Sequence, residues 1–218
     1  MKKNILIFDL DGTLLNTLED LADSTNFALR KYNYPERTIE EVRNFVGNGV
    51  AKLIERAIPG GLNNPNFENC LQTFKENYSL NMYNKTAPYN GIIEMLKKLR
   101  ADNCKIAVVS NKFDAAVKEL CQKYFPNLID IAIGENEAAG IKKKPAPDTV
   151  FQVLKELNCD KSEAIYLGDS EVDIMTAENS GIPCISVTWG FKDETFLKRH
   201  NAQIIVNKPQ EIIDFIEQ

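Results

Sequence analysis

The sequence predicts an α/β fold, a doubly wound parallel sheet of the Rossmann-like kind with a helical cap domain inserted into it. Three observations carry this expectation. Short apolar runs recur at Asn4–Phe8, Lys105–Val109, Ile129–Ile133, Ala164–Leu167, Cys184–Val187 and Ile204–Val206. Rich in Ile and Val, and apolar on both faces, they read as parallel strands covered by helices on both sides. Each run is followed by turn residues and then a helical period, the alternation that builds a doubly wound sheet. The alternation breaks once, between Thr17 and about Met82, where only helical periods occur.

The elements follow in order. The first run leads through "DLDGT" into a helix whose apolar face is Leu18, Leu21, Ala22, Thr25 and Leu29. Thr38 and Glu41 in "TIEE" form a capping box opening a second helix. Ala51–Ile58 is a third helix, stopped by Pro59-Gly60-Gly61, and Phe67–Leu80 a fourth. "YNKTAPYNG", with breakers at Pro88 and Gly91, returns the chain to the sheet. The boundaries expected are a core of residues 1–15 and 86–218 and a helical cap of residues 16–85, far longer than an ordinary β–α loop.

The core then resumes with a helix at Ile92–Leu99 and a strand in "CKIAVVSNK" that ends at Ser110. A helix follows at Asp114–Tyr124, and another grows out of the proline-rich turn "KKKPAP". "AIYLGDSEVDIMTAENSG" is strand, acidic turn and helix, with Gly181 as C-cap. The last helix has Asn207 as N-cap and Pro209 near its first turn.

Composition narrows the function classes. The chain has 218 residues, 44% hydrophobic and 26% charged, enough for a core that needs no disulfides. The formal net charge of −5 favours neither nucleic acid nor an anionic membrane. The five cysteines have no metal-knuckle spacing and read as reduced core residues of a cytoplasmic protein. "MKKN" precedes only four apolar residues, too few for a signal peptide, and no run reaches a membrane span.

Ligands of open parallel sheets bind beyond the carboxyl ends of the strands. The polar residues there are Asp9 and Asp11 after the first strand, Ser110-Asn111-Lys112 after the second, and Gly168-Asp169-Ser170 after the fourth, with Asp173 one turn on. Lys144 sits in the loop before the fourth strand, beside Pro145. Two like charges 4 Å apart repel by about 4 kcal/mol at an effective dielectric of 20. Such a carboxylate cluster calls for a cation, and an oxygen-only set favours a hard ion, Mg²⁺ first. With phosphate drawn to that ion and to Lys144, one carboxylate can attack phosphorus. The second, two residues on, can move the proton.

Four motifs in order, "DLDGT", Ser110, Lys144 before Pro145 and "GDSEVD", resemble those of the haloacid dehalogenase-like phosphohydrolases. The resemblance covers the whole core, and the helical insert is similar to that family's cap after the first strand. It implies Asp9 as nucleophile with one oxygen on Mg²⁺, Asp11 as general acid/base with its carbonyl on the metal, and Asp169 as a direct metal ligand. Asp173 would hold a metal-bound water or steady Lys144; Ser110, Asn111 and Lys144 would bind the phosphoryl group.

Asp11 speaks against the dehalogenase branch, which lacks it. "SNK" at Ser110–Lys112 and "FVGNGV" at Phe45–Val50 are similar to the phosphoglycolate phosphatases and the related pyrophosphatase branch. Many relatives carry aspartate where this chain has Asn16, a hinge position that leaves catalysis intact.

The function expected is therefore a Mg²⁺-dependent phosphatase acting on a small phosphate ester such as 2-phosphoglycolate. Pyrophosphatase and sugar phosphomutase are the alternatives. A phospho-accepting signalling domain would need neither Asp11 nor a lid, and a non-catalytic relative would have lost Asp9. Lys112 and Asn48 are candidate substrate contacts, although Lys112 reads equally as a surface residue and Gly47-Asn48-Gly49 as a plain turn. His200, in a charged stretch, is not expected to be catalytic. Trp189 and Phe191 read as packing residues. Oligomeric state is not legible.

Overall fold

A computed structural model of the chain describes residues 3–136 and 140–217. Two compact units emerge, Met1–Leu15 with Pro88–Gln218, and Asn16–Ala87. In chain order, β1 (Ile5–Phe8) is followed by β2 (Leu15–Asn16), and the helices α1 (Leu18–Lys31), α2 (Ile39–Phe45), α3 (Val50–Ala57) and α4 (Phe67–Asn81) make up the second unit. The chain returns through β3 (Ala87–Pro88), which pairs with β2 in a two-stranded sheet. Then come α5 (Ile92–Ala101), β4 (Lys105–Phe113), α6 (Asp114–Tyr124), β5 (Ile131–Glu135), α7 (Asp148–Leu157) and β6 (Ala164–Gly168). The remainder is α8 (Glu171–Ser180), β7 (Cys184–Val187), α9 (Glu194–Arg199), β8 (Ile204–Val206) and α10 (Pro209–Glu217).

The six-stranded sheet has the order β5-β4-β1-β6-β7-β8, with every pair parallel. Counting only its own strands, that is 3-2-1-4-5-6, the doubly wound order whose ligand crevice opens where the order reverses. β1 lies at the reversal, with Ile7 in register with Ala107 of β4 and Tyr166 of β6. All four β1 residues are fully buried, as a central parallel strand requires. Ile5 and Ile7 join Val109, Val150, Val153, Tyr166 and Ala177 in one core cluster. Burying each aliphatic side chain there contributes about 1.5–3 kcal/mol.

Some boundaries differ from the sequence expectation. β4 runs past Ser110 to Phe113 through a register shift against β5. Gly134 makes room for that course, since a Cβ there would collide with Asp114 and the Lys112 carbonyl. β5 starts at Ile131, two residues late, because Asp130 uses its carboxylate to accept from Ile106 N–H at 2.7 Å and to pair with Arg100. α10 begins at Pro209, so Asn207 precedes the helix without capping it directly; its N–H donates to Glu211 at 2.9 Å.

In the helical unit, the Thr38–Glu41 capping box forms with both reciprocal bonds. Buried Asp20 of α1 secures the return segment: its carboxylate accepts from the N–H groups of Lys85 and Thr86 and from the Thr86 hydroxyl at 2.8–3.1 Å. All five cysteines are free thiols. Among the described residues no helix is long and apolar enough to cross a membrane.

Candidate active site

The site lies at the carboxyl ends of β1, β4 and β6. The Asp9 N–H still bonds to the β6 carbonyl of Leu167 at 2.8 Å, so this residue leaves the sheet from a fixed point. The chain then turns: the N–H groups of Thr13, Leu14 and Leu15 all converge on the Leu10 carbonyl. Gly12 is required twice over. Its φ is +83°, and a Cβ there would run into the Asp169 carboxylate.

Lys144 is the hub. Its side chain is 2% exposed, and Nζ lies 2.9 Å from Asp9 Oδ1 and 2.7 Å from Asp173 Oδ1. The same ammonium stands 5.7 Å from the ring centre of buried Tyr166. Burial works against the charged lysine, yet Asp173 and Asp9 outweigh it and hold its pKa well above the ordinary value. Asp173 is held in turn by the Ser170 N–H at 3.1 Å and hydroxyl at 2.7 Å, which place it at the start of α8.

Asn111 fixes the lysine from the main-chain side, donating to the Lys144 carbonyl at 3.0 Å and accepting from its N–H at 2.8 Å. Ser110, buried beside it, accepts from the Lys112 N–H at 3.2 Å. Lys112 is not a surface residue: its side chain is 1% exposed, and Nζ lies 3.0 Å from Asp11 Oδ2.

Asp9, Asp169 and Asp173 each offer a carboxylate oxygen, and these oxygens lie within 4.8 Å of one another. Burial raises the Asp9 pKa to about 7, opposed by Lys144 and reinforced by Asp173 and Asp11. Burial, with Asp173 and Asp9, pushes Asp169 up as well, against the Phe191 N–H and Lys144. A buried, oxygen-only set under this repulsion fits a hard divalent cation. The Asp11 carboxylate stands outside that group of three, on Lys112. Asn48 lies in the helical unit, where Oδ1 accepts from Arg56 at 2.9 Å.

The loop after β7 has a role the sequence reading missed. Phe191 N–H donates to Asp169 Oδ2 at 2.6 Å, and the Trp189 indole donates to the Thr13 carbonyl at 3.0 Å. Gly190 between them passes so close that a Cβ would meet the Gly12 carbonyl and Asp169. The signal available was the glycine in "TWGF", directly after a strand, where close backbone approach is a standard reason for glycine.

Compared with known proteins, residues 6–187 match the family model for haloacid dehalogenase-like hydrolases. The chain belongs to that family. It is 30% identical to a phosphoglycolate phosphatase of Psychrobacter arcticus, over 99% of this chain and 96% of the relative. It is 31% identical to one of Mesorhizobium japonicum, over 88% and 86%. Among solved structures, a Lactobacillus delbrueckii subsp. bulgaricus protein, provisionally assigned as a phosphoglycolate phosphatase, superposes with a TM-score of 0.93. That match has 35% identity and covers 99% of each chain. This hydrolase thus resembles phosphoglycolate phosphatases along its whole length, and the six-stranded sheet is the fold of those neighbours.

Proposed function

We propose that this hydrolase is a Mg²⁺-dependent phosphatase that cleaves a small phosphate monoester, 2-phosphoglycolate or a close analogue, through phosphorylated Asp9. The observation that carries the reading is Asp9, held at a strand end, with the Lys144 ammonium 2.9 Å away and two further carboxylates beside it. The relatives named phosphoglycolate phosphatase support the substrate class.

Asp9, Asp169 and the Asp11 carbonyl would hold the cation, with Asp173 steadying Lys144 or a metal-bound water. When bound, the cation would offset the repulsion between the Asp9 carboxylate and the phosphoryl oxygens. An Asp9 carboxylate oxygen attacks phosphorus, and the ester P–O bond breaks. Protonated Asp11 gives its proton to the departing oxygen, releasing the alcohol. Asp11, now a carboxylate, takes a proton from water as that water attacks phosphorus. The bond from phosphorus to Asp9 breaks, phosphate leaves, and Asp11 is again protonated.

Lys144 and Ser110 would neutralise and orient the phosphoryl oxygens, while Asn111, whose amide is committed to the Lys144 main chain, acts by placing that lysine. Asn48 and its flanking glycines are offered as part of a lid over the substrate, carried by the helical unit. A cytoplasmic location is part of this proposal, supported by the free cysteines.

Phosphate release from 2-phosphoglycolate, hexose phosphates and pyrophosphate, with Mg²⁺ and with EDTA, tests the proposal. Mg²⁺-dependent release led by 2-phosphoglycolate is expected. A preference for pyrophosphate would move the chain to the pyrophosphatase branch. Interconversion of hexose phosphates without release would make it a mutase.

A further inference from the structure

Lys112 is a second buried cation in the site, and the steps above give it no task. It lies inside the register shift of β4 against β5, between Val109 and Phe113, a course that Gly134 of β5 admits by lacking a side chain. Its N–H is tied to Ser110 Oγ. From that anchor the side chain runs inward to Asp11 Oδ2 at 3.0 Å, with the lysine side chain 1% exposed and the aspartate 20% exposed. An ammonium buried so deeply is costly unless an anion meets it, and removing one partner leaves the other uncompensated. The pair thus joins the shifted stretch of β4 to the Asp11 carboxylate through a buried ammonium.

We propose that Lys112 is a positioning residue that holds the Asp11 carboxylate in the orientation from which Asp11 exchanges its proton with the leaving oxygen and with water. The inference rests on the acid/base reading of Asp11 given above. It replaces the expectation that Lys112 contacts substrate. A substrate contact acts on binding, and most strongly for esters with a second anionic group. A residue that orients Asp11 acts on turnover, alike for every ester, and only while Asp11 is present.

The test is a double-mutant cycle of Lys112→Met and Asp11→Asn with two readouts. In kinetics on 2-phosphoglycolate and on glycerol phosphate, Lys112→Met should lower kcat by roughly 10- to 100-fold, the scale of a misplaced catalytic group. KM should stay within about twofold. Lys112→Arg should recover part of kcat, and Lys112→Met should add nothing in the Asp11→Asn background.

In thermal unfolding with EDTA, which needs no activity, the two substitutions should be non-additive, the double variant melting no lower than the less stable single one. If Lys112→Met fails to fold, Lys112→Gln takes its place in both readouts. A rise in KM with kcat kept, or additivity in either readout, overturns the proposal. Wild-type protein that releases phosphate from no ester would instead overturn the phosphatase reading, while the unfolding cycle still decides whether Lys112 and Asp11 are coupled.

Discussion

The side-chain amide of Asn111 grips the main chain of Lys144 at both ends, Nδ2 donating to its carbonyl at 3.0 Å and Oδ1 accepting from its N–H at 2.8 Å. Asn111 belongs to β4 and Lys144 to the loop before α7, 33 positions apart in sequence. This pair of bonds sets where the loop before α7 runs, and so where the lysine ammonium meets Asp9 and Asp173.

Asn111→Ala should therefore act through Lys144. Loss of two buried bonds should cost about 2 kcal/mol in denaturant unfolding. Displacement of the ammonium should lower kcat/KM by about 100-fold. Asn111→Asp keeps the acceptor but sets a carboxylate oxygen against the Lys144 carbonyl, and should be no more stable than Ala.

In the proposed mechanism Asp9 would link protons to metal. Its pKa rises from an ordinary ~3.9 to about 7 in the folded, metal-free protein. Between those values the folded state holds a proton that the unfolded chain has released. The contribution of Asp9 to metal-free stability is thus full below about pH 4 and is lost as pH rises to about 7. Metal binding requires the ionised carboxylate, so Mg²⁺ should bind more tightly at pH 8 than at pH 6. Melting temperatures with EDTA and with saturating Mg²⁺ at both pH values check the sign.

Gly190→Ala should displace Asp169, since its methyl group would occupy the space of the Asp169 side chain and the Gly12 carbonyl. Overpacking of this kind costs about 1–3 kcal/mol. The added expectation is weaker Mg²⁺ binding, measured by titration calorimetry, which a loop of merely structural importance would leave intact.

Asp20→Ala should destabilise the helical unit, because Lys85 and Thr86 lose a buried carboxylate acceptor that takes three N–H or O–H donors. Roughly 3 kcal/mol is expected from bonds to a charged group. Hydrogen exchange should then speed up first at Lys85 and Thr86.

The fold was largely legible because its strands are buried on both faces and their apolar runs stand out. β2 and β3 were not, since two residues carry no periodicity. Asp9 and Asp11 could be read because two carboxylates at the end of an apolar run have few structural uses. The Asn111 amide and the Phe191 N–H could not, since each serves a partner distant in the chain: Lys144 in one case, Asp169 in the other. Lys112 reads from the sequence as either surface or site because a lysine gives no local sign of burial. Its position depends on Gly134, which belongs to the next strand.

The proposed mechanism stands on phosphorylation of Asp9 during turnover. The most direct measurement is rapid quenching of the Mg²⁺-loaded enzyme with phosphate-labelled substrate, followed by mapping of the label, with Asp9→Asn alongside. A phosphorylated Asp9 on the reaction path requires label on Asp9 that forms and decays at rates compatible with turnover, and neither label nor phosphate release in Asp9→Asn. Full-rate phosphate release by Asp9→Asn, or turnover with the label on another residue, would contradict it.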